Sequence, residues 1–347
     1  MTERRRRPTL RDIADETGLS TAAVSYALRG LQVTPQTQRR VREVADRLGY
    51  QVDPIARALA SGRTGYVGVL CGSLDDVWQQ GLSAALGRGL LEAQRRALIV
   101  DASNDPVREA TLAQGLVDQR VDALIVLPVD PIAAQWAGIA ERTLLISVGE
   151  SLPDAATAAE VVFDNETGVA DALERLAVLG HRRIAVLTPG RASTPDRPAE
   201  VVAHRLAGQL GLTVTLHACG HDLDGASAVA RTVLCGPDTP TAVFCLADSM
   251  AYGVYDAARD LGLRVPGDVA VLGYDDHPLS RLLSPPLSTY RWPVVDLVEA
   301  VVEQTVSAIE QDKRSRRLVL RPQPQMRGSL GPPTVTLAPP VSRGLVR

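Results

Sequence analysis

One short stretch near the N-terminus places polar and basic side chains on a single face of a predicted helix. Ser20 is a good N-cap for a helix over 21–28, whose buried side consists of Ala23, Val24 and Leu28. The side chains left outside are Thr21, Ala22, Ser25, Tyr26 and Arg29. Threonine and alanine methyl groups suit a thymine methyl, a serine bonds to a phosphate or a base edge, and an arginine contacts a phosphate or forks onto a guanine. This face therefore predicts contact with the major groove of double-stranded DNA.

Two neighbouring helices must hold that face in place. Thr9 and Asp12 form a capping pattern for a first helix, which ends before Gly18. Thr34 caps a third helix, which Gly49 closes. The inward-facing residues of these two helices are Leu10, Ile13, Ala14, Val41, Val44, Ala45 and Leu48. Three short helices with a tight first turn predict a helix-turn-helix head, although the same pattern also occurs in domains that bind no DNA.

The charge distribution favours DNA over that alternative. Residues 1–64 carry twelve arginines against seven acidic residues, a net charge of +5, and because the whole chain carries −3 the remainder carries −8. A basic head on a larger acidic body is typical of a protein that joins a polyanion-binding domain to a regulatory or catalytic one. Four of these arginines stand together at 4–7 and form a basic arm.

Composition excludes several classes of protein. The 347 residues suffice for two or three domains, and no apolar run approaches the roughly 20 residues that span a bilayer, so neither secretion nor a membrane partner is predicted. The four cysteines stand far apart without a Cys-x-x-Cys pair, which fits a reducing cytoplasm. Aromatic residues make up only 3% of the chain, which argues against a base-stacking platform for single-stranded nucleic acid.

Enzymatic motifs are missing from the sequence. It contains no phosphate-binding Gly-x-x-x-x-Gly-Lys loop, no Gly-x-Ser-x-Gly elbow and no His-Glu-x-x-His pair, so we predict neither catalysis nor a cofactor. His217, Cys219 and His221 lie close together and could ligate a metal. Ordinary histidines in a loop near a strand end are the favoured explanation, and no metal site is predicted.

Downstream of residue 64, short apolar runs alternate with segments of helical length. Buried parallel strands are predicted at 66–71, 97–100, 123–127 and 144–148, then at 160–163, 184–187, 213–216, 242–245 and 269–272. This alternation predicts two doubly wound α/β units. Ligands in such sheets bind beyond the carboxyl ends of the strands, so a cleft between the two units is the expected ligand site.

Motifs along the whole chain resemble those of one known family. They lie in the head at 9–30, 33–37 and 48–50, and in the body at 180–186, 248–253, 261–276, 283–289 and 327–329. On these motifs the sequence resembles the LacI/GalR family of bacterial transcriptional regulators, from about Leu10 to Ser329. The resemblance implies an α/β fold with a three-helix head and a periplasmic-binding-protein-like core of two subdomains.

The resemblance also implies domain boundaries. A helix-turn-helix head at 1–50 is followed by a hinge helix at 51–64 and an effector-binding core at 65–330. The implied N-subdomain of the core comprises 66–162 and 291–321, and the C-subdomain comprises 163–290 and 322–330. The proline-rich segment 331–347 lacks a helical or strand period and predicts a disordered tail without a tetramerising coiled coil.

A set of DNA contacts follows from the resemblance and from the exposed helix face. It consists of Arg5, Arg6, Thr9, Ser20, Thr21, Ala22, Ser25, Tyr26, Arg29, Thr34, Thr37, Tyr50, Arg57 and Leu59. In the family, hinge helices pair across a dimer and push a leucine into the minor groove, and Leu59 occupies that position. An ordinary linker helix with Leu59 packed on the core is the alternative. Tyr26 lies where many members place an arginine, so a different base preference is expected.

Matching positions likewise imply contacts to an effector around the cleft. They are Trp78, Phe163, Ser193, Arg197, Asp248, Asp275 and Trp292. Carboxylates and arginines bind vicinal hydroxyls, and flat aromatic rings stack on the apolar face of a sugar, so a carbohydrate is predicted. Ala247 and Glu200 depart from the family's usual residues. Local roles stay open for three positions, with Asp248 as a helix cap, Asp275 in a turn and Trp78 in the core.

Together these features predict a dimeric repressor that binds a pseudo-palindromic operator under allosteric control by a small molecule. The predicted partners are operator DNA, the effector and a second copy of the chain, in the bacterial cytoplasm. A cytoplasmic solute-binding protein that binds no operator is the alternative, and an α/β enzyme is a third class that only the fold suggests.

Overall fold

The computed structural model describes residues 8–31, 33–50, 58, 62–189, 197–314 and 317–334, with only the backbone described at 197–200. The chain divides into two compact units, Met1–Thr64 and Gly65–Arg347. The predicted hinge helix lies almost wholly outside the described residues. The same is true of the predicted contacts Arg5, Arg6, Arg57, Leu59 and Ser193.

The first unit is a head of three helices, α1 (Leu10–Thr17), α2 (Thr21–Arg29) and α3 (Pro35–Leu48). Its small core contains Ile13, Val24, Ala27 and Val41, all fully buried. Apolar side chains recur every three or four residues in each helix, so each has one face that can be removed from water. The three-helix head predicted from the sequence is confirmed.

Local hydrogen bonds fix where these helices begin and end. The Asp12 carboxylate accepts a hydrogen bond from the Thr9 N–H at 2.7 Å, and Thr9 Oγ1 accepts one from the Asp12 N–H, which makes a reciprocal capping box. Ser20 and Thr34 cap α2 and α3 by accepting from backbone N–H groups at 3.2 and 3.3 Å. Each helix ends at a glycine with positive φ, 67° at Gly18, 74° at Gly30 and 68° at Gly49.

The second unit alternates strands and helices. Its first part contains β1 (Tyr66–Cys71), α4 (Val77–Glu92), β2 (Arg96–Asp101), α5 (Pro106–Asp118), β3 (Ala123–Val126), α6 (Gln135–Arg142), β4 (Leu144–Gly149) and β5 (Ala159–Phe163). The next part contains α7 (Asn165–Val178), β6 (Arg183–Pro189), α8 (Arg197–Leu210), β7 (Thr213–Cys219), α9 (Leu223–Cys235), β8 (Ala242–Cys245), α10 (Asp248–Asp260) and β9 (Ala270–Leu272). The last part contains a 3-10 turn (Pro278–Arg281), β10 (Thr289–Arg291), α11 (Val294–Gln311), β11 (Leu318–Leu320) and β12 (Gln323–Gln325).

Two parallel sheets organise these elements. The first has the strand order β11-β5-β4-β3-β1-β2, and the second has the order β7-β6-β8-β9. Strands β10 and β12 form a separate antiparallel pair. Because the carboxyl ends of parallel strands meet at one edge, the segments that follow β1, β5, β7 and β9 lie where ligand sites form. The two α/β units predicted from the apolar alternation are confirmed.

The chain passes between the two sheets along adjacent segments. The Asp164 N–H donates to the carbonyl oxygen of Leu320 at 2.8 Å, and Arg321 Nε donates to the Asp164 carboxylate at 3.0 Å. The segment after β5 and the segment after β11 therefore run side by side. The exact subdomain boundaries stay a prediction.

The beginning of the predicted tail makes tertiary contacts. The carbonyl oxygen of Gly331 lies 2.9 Å from Nε2 of the fully buried His181, and Thr334 donates to the Gly267 carbonyl oxygen. The prediction of a disordered tail from 331 onward is therefore wrong for 331–334, because the Gly331 carbonyl and the Thr334 hydroxyl have partners in the segments just before β6 and β9, and 335–347 lie outside the described residues. Within the described ranges, no helix combines the length and the apolar character needed to cross a membrane.

Candidate functional site

The outer face of α2 presents the residues predicted to contact bases. Thr21, Ala22, Tyr26 and Arg29 are exposed, and Ser25 is half-buried. Arg29 Nη2 donates to Ser25 Oγ at 3.2 Å, and the Arg29 guanidinium carbon lies 5.8 Å from the centre of the Tyr26 ring. The structure therefore brings three of the predicted contacts into one group on the surface of this helix.

Other predicted contacts of the head lie at helix ends. Thr9, Ser20 and Thr34 use their side-chain oxygens as caps, and the hydroxyl groups of Thr34 and Thr37 lie 2.9 Å apart. Helix N-termini carry partial positive charge and free N–H groups, which suits them to a phosphate. Tyr50 is half-buried against the core of the head, so its ring contributes to packing as well.

Three aromatic residues predicted to contact the effector lie together at the carboxyl edge of the first sheet. The rings of Phe163 and Trp292 stack with centres 4.5 Å apart, and the Trp78 ring meets Phe163 edge-on at 5.5 Å. Tyr274, which follows β9 of the second sheet, meets Trp292 edge-on at 5.7 Å. The contact between Tyr274 and Trp292 shows that the edge of the second sheet faces this aromatic group.

Asp248 occupies a different environment from the other predicted effector contacts. It is fully buried, and its carboxylate accepts hydrogen bonds from Ser280 Oγ at 2.5 Å, Thr289 Oγ1 at 2.6 Å and the His277 N–H at 2.9 Å. Burial raises the pKa of Asp248 to about 7, against these hydrogen bonds, which favour the charged form. Its carboxylate therefore holds the loop after β9 in place, with one oxygen engaged by that loop and the other by Thr289 at the start of β10.

Asp275 stands in a strained backbone conformation at the same edge. Its φ is 114°, in the left-handed region that residues with a Cβ rarely adopt, and its N–H donates to the Tyr290 carbonyl oxygen at 2.7 Å. Strain of this kind persists where the surrounding structure enforces it, often at ligand sites. The half-buried Asp275 thus fits a functional position. Arg197 is the first residue of α8, and the structure describes only its backbone.

The structure adds two polar side chains to this region: Asn165, which the sequence did not indicate, and His221, which the sequence indicated only as a possible metal ligand. Asn165 is 1% exposed, and neither its amide oxygen nor its amide nitrogen has a hydrogen-bond partner. His221 is 8% exposed; its Nδ1 lies 3.4 Å from Ser249 Oγ, and its Nε2 has no partner. The indole N–H of Trp78 is likewise buried without a partner.

The positions of these side chains relate them to the cleft. Asn165 and His221 each lie two residues beyond a strand, after β5 and β7. A Cβ added at Gly168, in the first turn of α7, would lie 2.0 Å from the Tyr274 hydroxyl oxygen, so the start of this helix touches the second sheet's edge. Buried polar groups are normally paired, so these atoms need a water or a ligand. In the sequence, the feature that could have identified both residues is that each is polar and lies just beyond a predicted strand.

The alternative metal site gains no geometric support. His217 Nε2 lies 2.9 Å from Thr215 Oγ1, whereas Cys219 is buried and His221 contacts Ser249. Among the residues that the structure describes, no three His, Cys, Asp or Glu side chains are grouped as metal ligands.

Comparison with known protein families identifies both units. The family described as "Bacterial regulatory proteins, lacI family" matches residues 9–53, and the family described as "Periplasmic binding protein-like domain" matches residues 173–330. The protein named "HTH-type transcriptional regulator MalR" from Streptomyces coelicolor is 31% identical over 313 residues, which cover 86% of this chain and 90% of that protein. The ribose operon repressor of Haemophilus influenzae is 28% identical over 333 residues, covering 93% and 98% of the two chains.

Solved structures show the same fold. The lac repressor dimer bound to operator and the anti-inducer ONPF superposes with a TM-score of 0.83 at 22% identity, covering 93% of this chain and 99% of that one. A LacI family regulator from Arthrobacter in complex with lactose gives a TM-score of 0.65 at 25% identity, covering 76% and 98%.

Proposed function

Since this chain belongs to the lacI family of bacterial regulatory proteins, we propose that it is a transcriptional repressor that binds operator DNA as a homodimer and responds to a sugar. The observation that carries the proposal is the capped α1–α3 head, which leaves Ser25, Tyr26 and Arg29 on the outer face of α2. Its place of action is the bacterial cytoplasm, on the nucleoid when bound. The proposal assigns no catalytic step to the chain.

The proposed DNA surface combines contacts that read base edges with contacts to phosphates that position the head on the duplex. The exposed face of α2 enters the major groove, and the caps Thr9, Ser20 and Thr34 lie against phosphates, together with Thr37 and Tyr50. Arg5, Arg6 and Arg57 add phosphate contacts from the arm and the hinge. Two heads related by the symmetry of a dimer require an operator with two inverted half-sites, so the site is pseudo-palindromic.

The test is selection of bound duplexes from a random pool by the purified full-length protein, followed by sequencing. Enrichment of a two-fold symmetric site supports the repressor. If the folded, dimeric protein enriches no site with or without sugars, the proposal fails, and the solute-binding alternative takes its place.

The hinge residue Leu59 gives a separate prediction. We expect Leu59→Ala to weaken binding to the selected operator by at least roughly tenfold, because the leucine wedge that stabilises an unstacked, bent step is removed. Binding to a random duplex, which gains nothing from the wedge, should change little. Both affinities are measured by fluorescence anisotropy, and equal losses on the two DNAs would contradict the wedge.

The proposed effector site is the cleft between the sheets. Trp78, Phe163, Trp292 and Asp275 line it, with Ser193 and Arg197 as the remaining contacts, and Asp248 holds the loop after β9 without touching the ligand. The names of similar proteins point to sugars, since one is a ribose operon repressor and others were solved with lactose or cellobiose. A bound sugar that draws the subdomains together would move the segments that lead to the hinge helices, and thereby change operator affinity.

The unpaired amide of Asn165 is assigned to the same ligand. We expect Asn165→Leu to leave the unfolding midpoint of the sugar-free protein unchanged or higher, because an apolar side chain of similar volume replaces an unsatisfied buried amide. The shift of that midpoint on adding ribose, maltose, lactose or cellobiose, whichever stabilises the wild type, should disappear. Differential scanning fluorimetry measures both.

Trp78→Phe is the matched variant for this experiment. It keeps an aromatic ring beside Phe163 and removes the unpaired indole N–H together with part of the ring volume. A reduced sugar response is expected, with a loss of stability from the vacated volume that is the same with and without sugar. If Asn165→Leu instead lowers the sugar-free midpoint and keeps the sugar response, the amide has a structural role.

A further inference from the structure

Arg29 is held in one place on the exposed face of α2. It is the last residue of this helix, yet its guanidinium donates to the hydroxyl of Ser25, one turn earlier, at 3.2 Å. The same guanidinium lies over the ring of Tyr26, 5.8 Å from its centre. An arginine on the exposed surface of a helix can adopt many rotamers. Here the contacts with Ser25 and Tyr26 favour one of them.

The direction of this side chain determines where its charge lies. Side chains on a helix point toward its N-terminus, and residues four apart lie on the same face. The hydrogen bond to Ser25 extends this tendency, so the guanidinium of Arg29 sits beside Ser25 and Tyr26 at the middle of α2. A cation attached at the end of the helix thus lies one turn closer to the N-terminal residues, which contact base edges when such a helix enters the major groove.

The chemistry of the three side chains assigns their roles. A guanidinium carries five N–H donors in a fixed plane, and the bond to Ser25 uses one of them. The remaining donors still form a fork that matches O6 and N7 of guanine. Tyr26 offers a single hydroxyl and no second parallel donor, so its ring is suited to supporting the guanidinium by a cation–π contact.

We propose that Arg29 is the guanine-reading residue of the head, and that Ser25 and Tyr26 are positioning residues that hold its guanidinium over the middle of α2. Each half of the operator then carries one guanine that Arg29 reads. This inference rests on the proposed operator binding and adds to it the residue that sets base preference.

The first experiment repeats the random-duplex selection with Arg29→Ala beside the wild type. The wild type should enrich a symmetric site with one guanine fixed in each half, and Arg29→Ala should lose the preference at that position only. Exchanging this G·C pair in both half-sites should weaken wild-type binding by roughly tenfold or more, and should leave the affinity of Arg29→Ala unchanged. Arg39→Ala, which removes an exposed arginine of α3, is the control and should keep the guanine.

A second set of variants separates base reading from simple charge. Arg29→Lys keeps the charge and loses the planar fork, so it should lose the guanine preference while the dependence of affinity on salt stays as in the wild type. Tyr26→Phe keeps the ring and should keep the preference. Tyr26→Ala and Ser25→Ala should broaden the preference at the same position.

Each contrary outcome overturns the inference. If Arg29→Ala keeps the guanine and lowers only the salt slope, by about one for each head, the arginine contacts a phosphate. If Tyr26→Phe loses the guanine, the tyrosine hydroxyl reads the base. A wild type that enriches no symmetric site overturns the proposed operator binding, and this inference with it, whereas an enriched site with an unaltered Arg29→Ala profile overturns this inference alone.

Discussion

Replacing Asp276 with alanine should lower the free energy of unfolding of the second unit by about 3 kcal/mol. The Asp276 side chain is fully buried; it accepts a hydrogen bond from Arg291 Nε at 2.6 Å and another from Arg327 Nη2. Arg327 is itself only 16% exposed, so removing the carboxylate leaves a mostly buried cation without its counterion. That uncompensated charge, together with the lost volume, is the cause of the expected destabilisation.

Urea unfolding followed by tryptophan fluorescence is the measurement. All three tryptophans, Trp78, Trp136 and Trp292, belong to the second unit, so the signal reports on it alone. Asp118→Ala is the matched control, because Asp118 forms an exposed ion pair with Arg142 and its loss should leave the midpoint essentially unchanged. An Asp276→Ala midpoint equal to that of the control would show that the buried cluster contributes nothing to stability.

The ion pairs of Asp276 with Arg291 and Arg327 also make this loss of unfolding free energy depend on pH. Burial by itself would raise the pKa of Asp276, but the hydrogen-bonded guanidinium groups of Arg327 and Arg291 lower it below its usual value. A carboxyl group whose folded pKa is depressed stabilises the protein above its unfolded pKa of about 3.9 and loses that contribution as the pH falls through the folded value. The stability difference between wild type and Asp276→Ala should therefore be constant near neutral pH and shrink below about pH 4.

Operator affinity should fall about a thousandfold between 50 and 200 mM monovalent salt. The head carries a net charge of +5 and a dimer presents it twice, so binding releases several counterions from the DNA. Arginine supplies all of the positive charge in this head, and its guanidinium stays protonated throughout the accessible pH range. The slope of log affinity against log salt should therefore be the same at pH 6 and pH 9.

Titrations of labelled operator at five salt concentrations measure this slope. A random duplex of equal length is the control and should show a similar slope at lower affinity, because phosphate contacts do not depend on sequence. A flat plot between low and moderate salt would contradict binding through arginine–phosphate contacts.

The sequence by itself determined the elements of this protein and the class of its head. Thr9, Ser20 and Thr34 cap their helices through bonds that span three residues, and Gly18, Gly30 and Gly49 end them through their own backbone freedom. Strands β1 to β9 likewise follow from apolar runs that are local in the chain, whereas β11, which pairs with β5, was not predicted from the sequence. Such features depend on spacing within one turn or one strand, and spacing is what a sequence displays.

Only the tertiary structure decided which polar side chains form hydrogen bonds within the protein and which can bind a ligand. Asp248 lies at a strand end like a ligand contact, yet Ser280 and Thr289, distant in the chain, occupy its carboxylate. Asn165 and His221 are buried with atoms that no protein group satisfies. Whether a polar group finds a hydrogen-bond partner depends on which residues lie next to it in the fold. The strand order β11-β5-β4 and the segments that connect the two sheets determine those neighbours. Those partners are far apart in sequence, and the free energy of burying each group depends on whether a partner arrives.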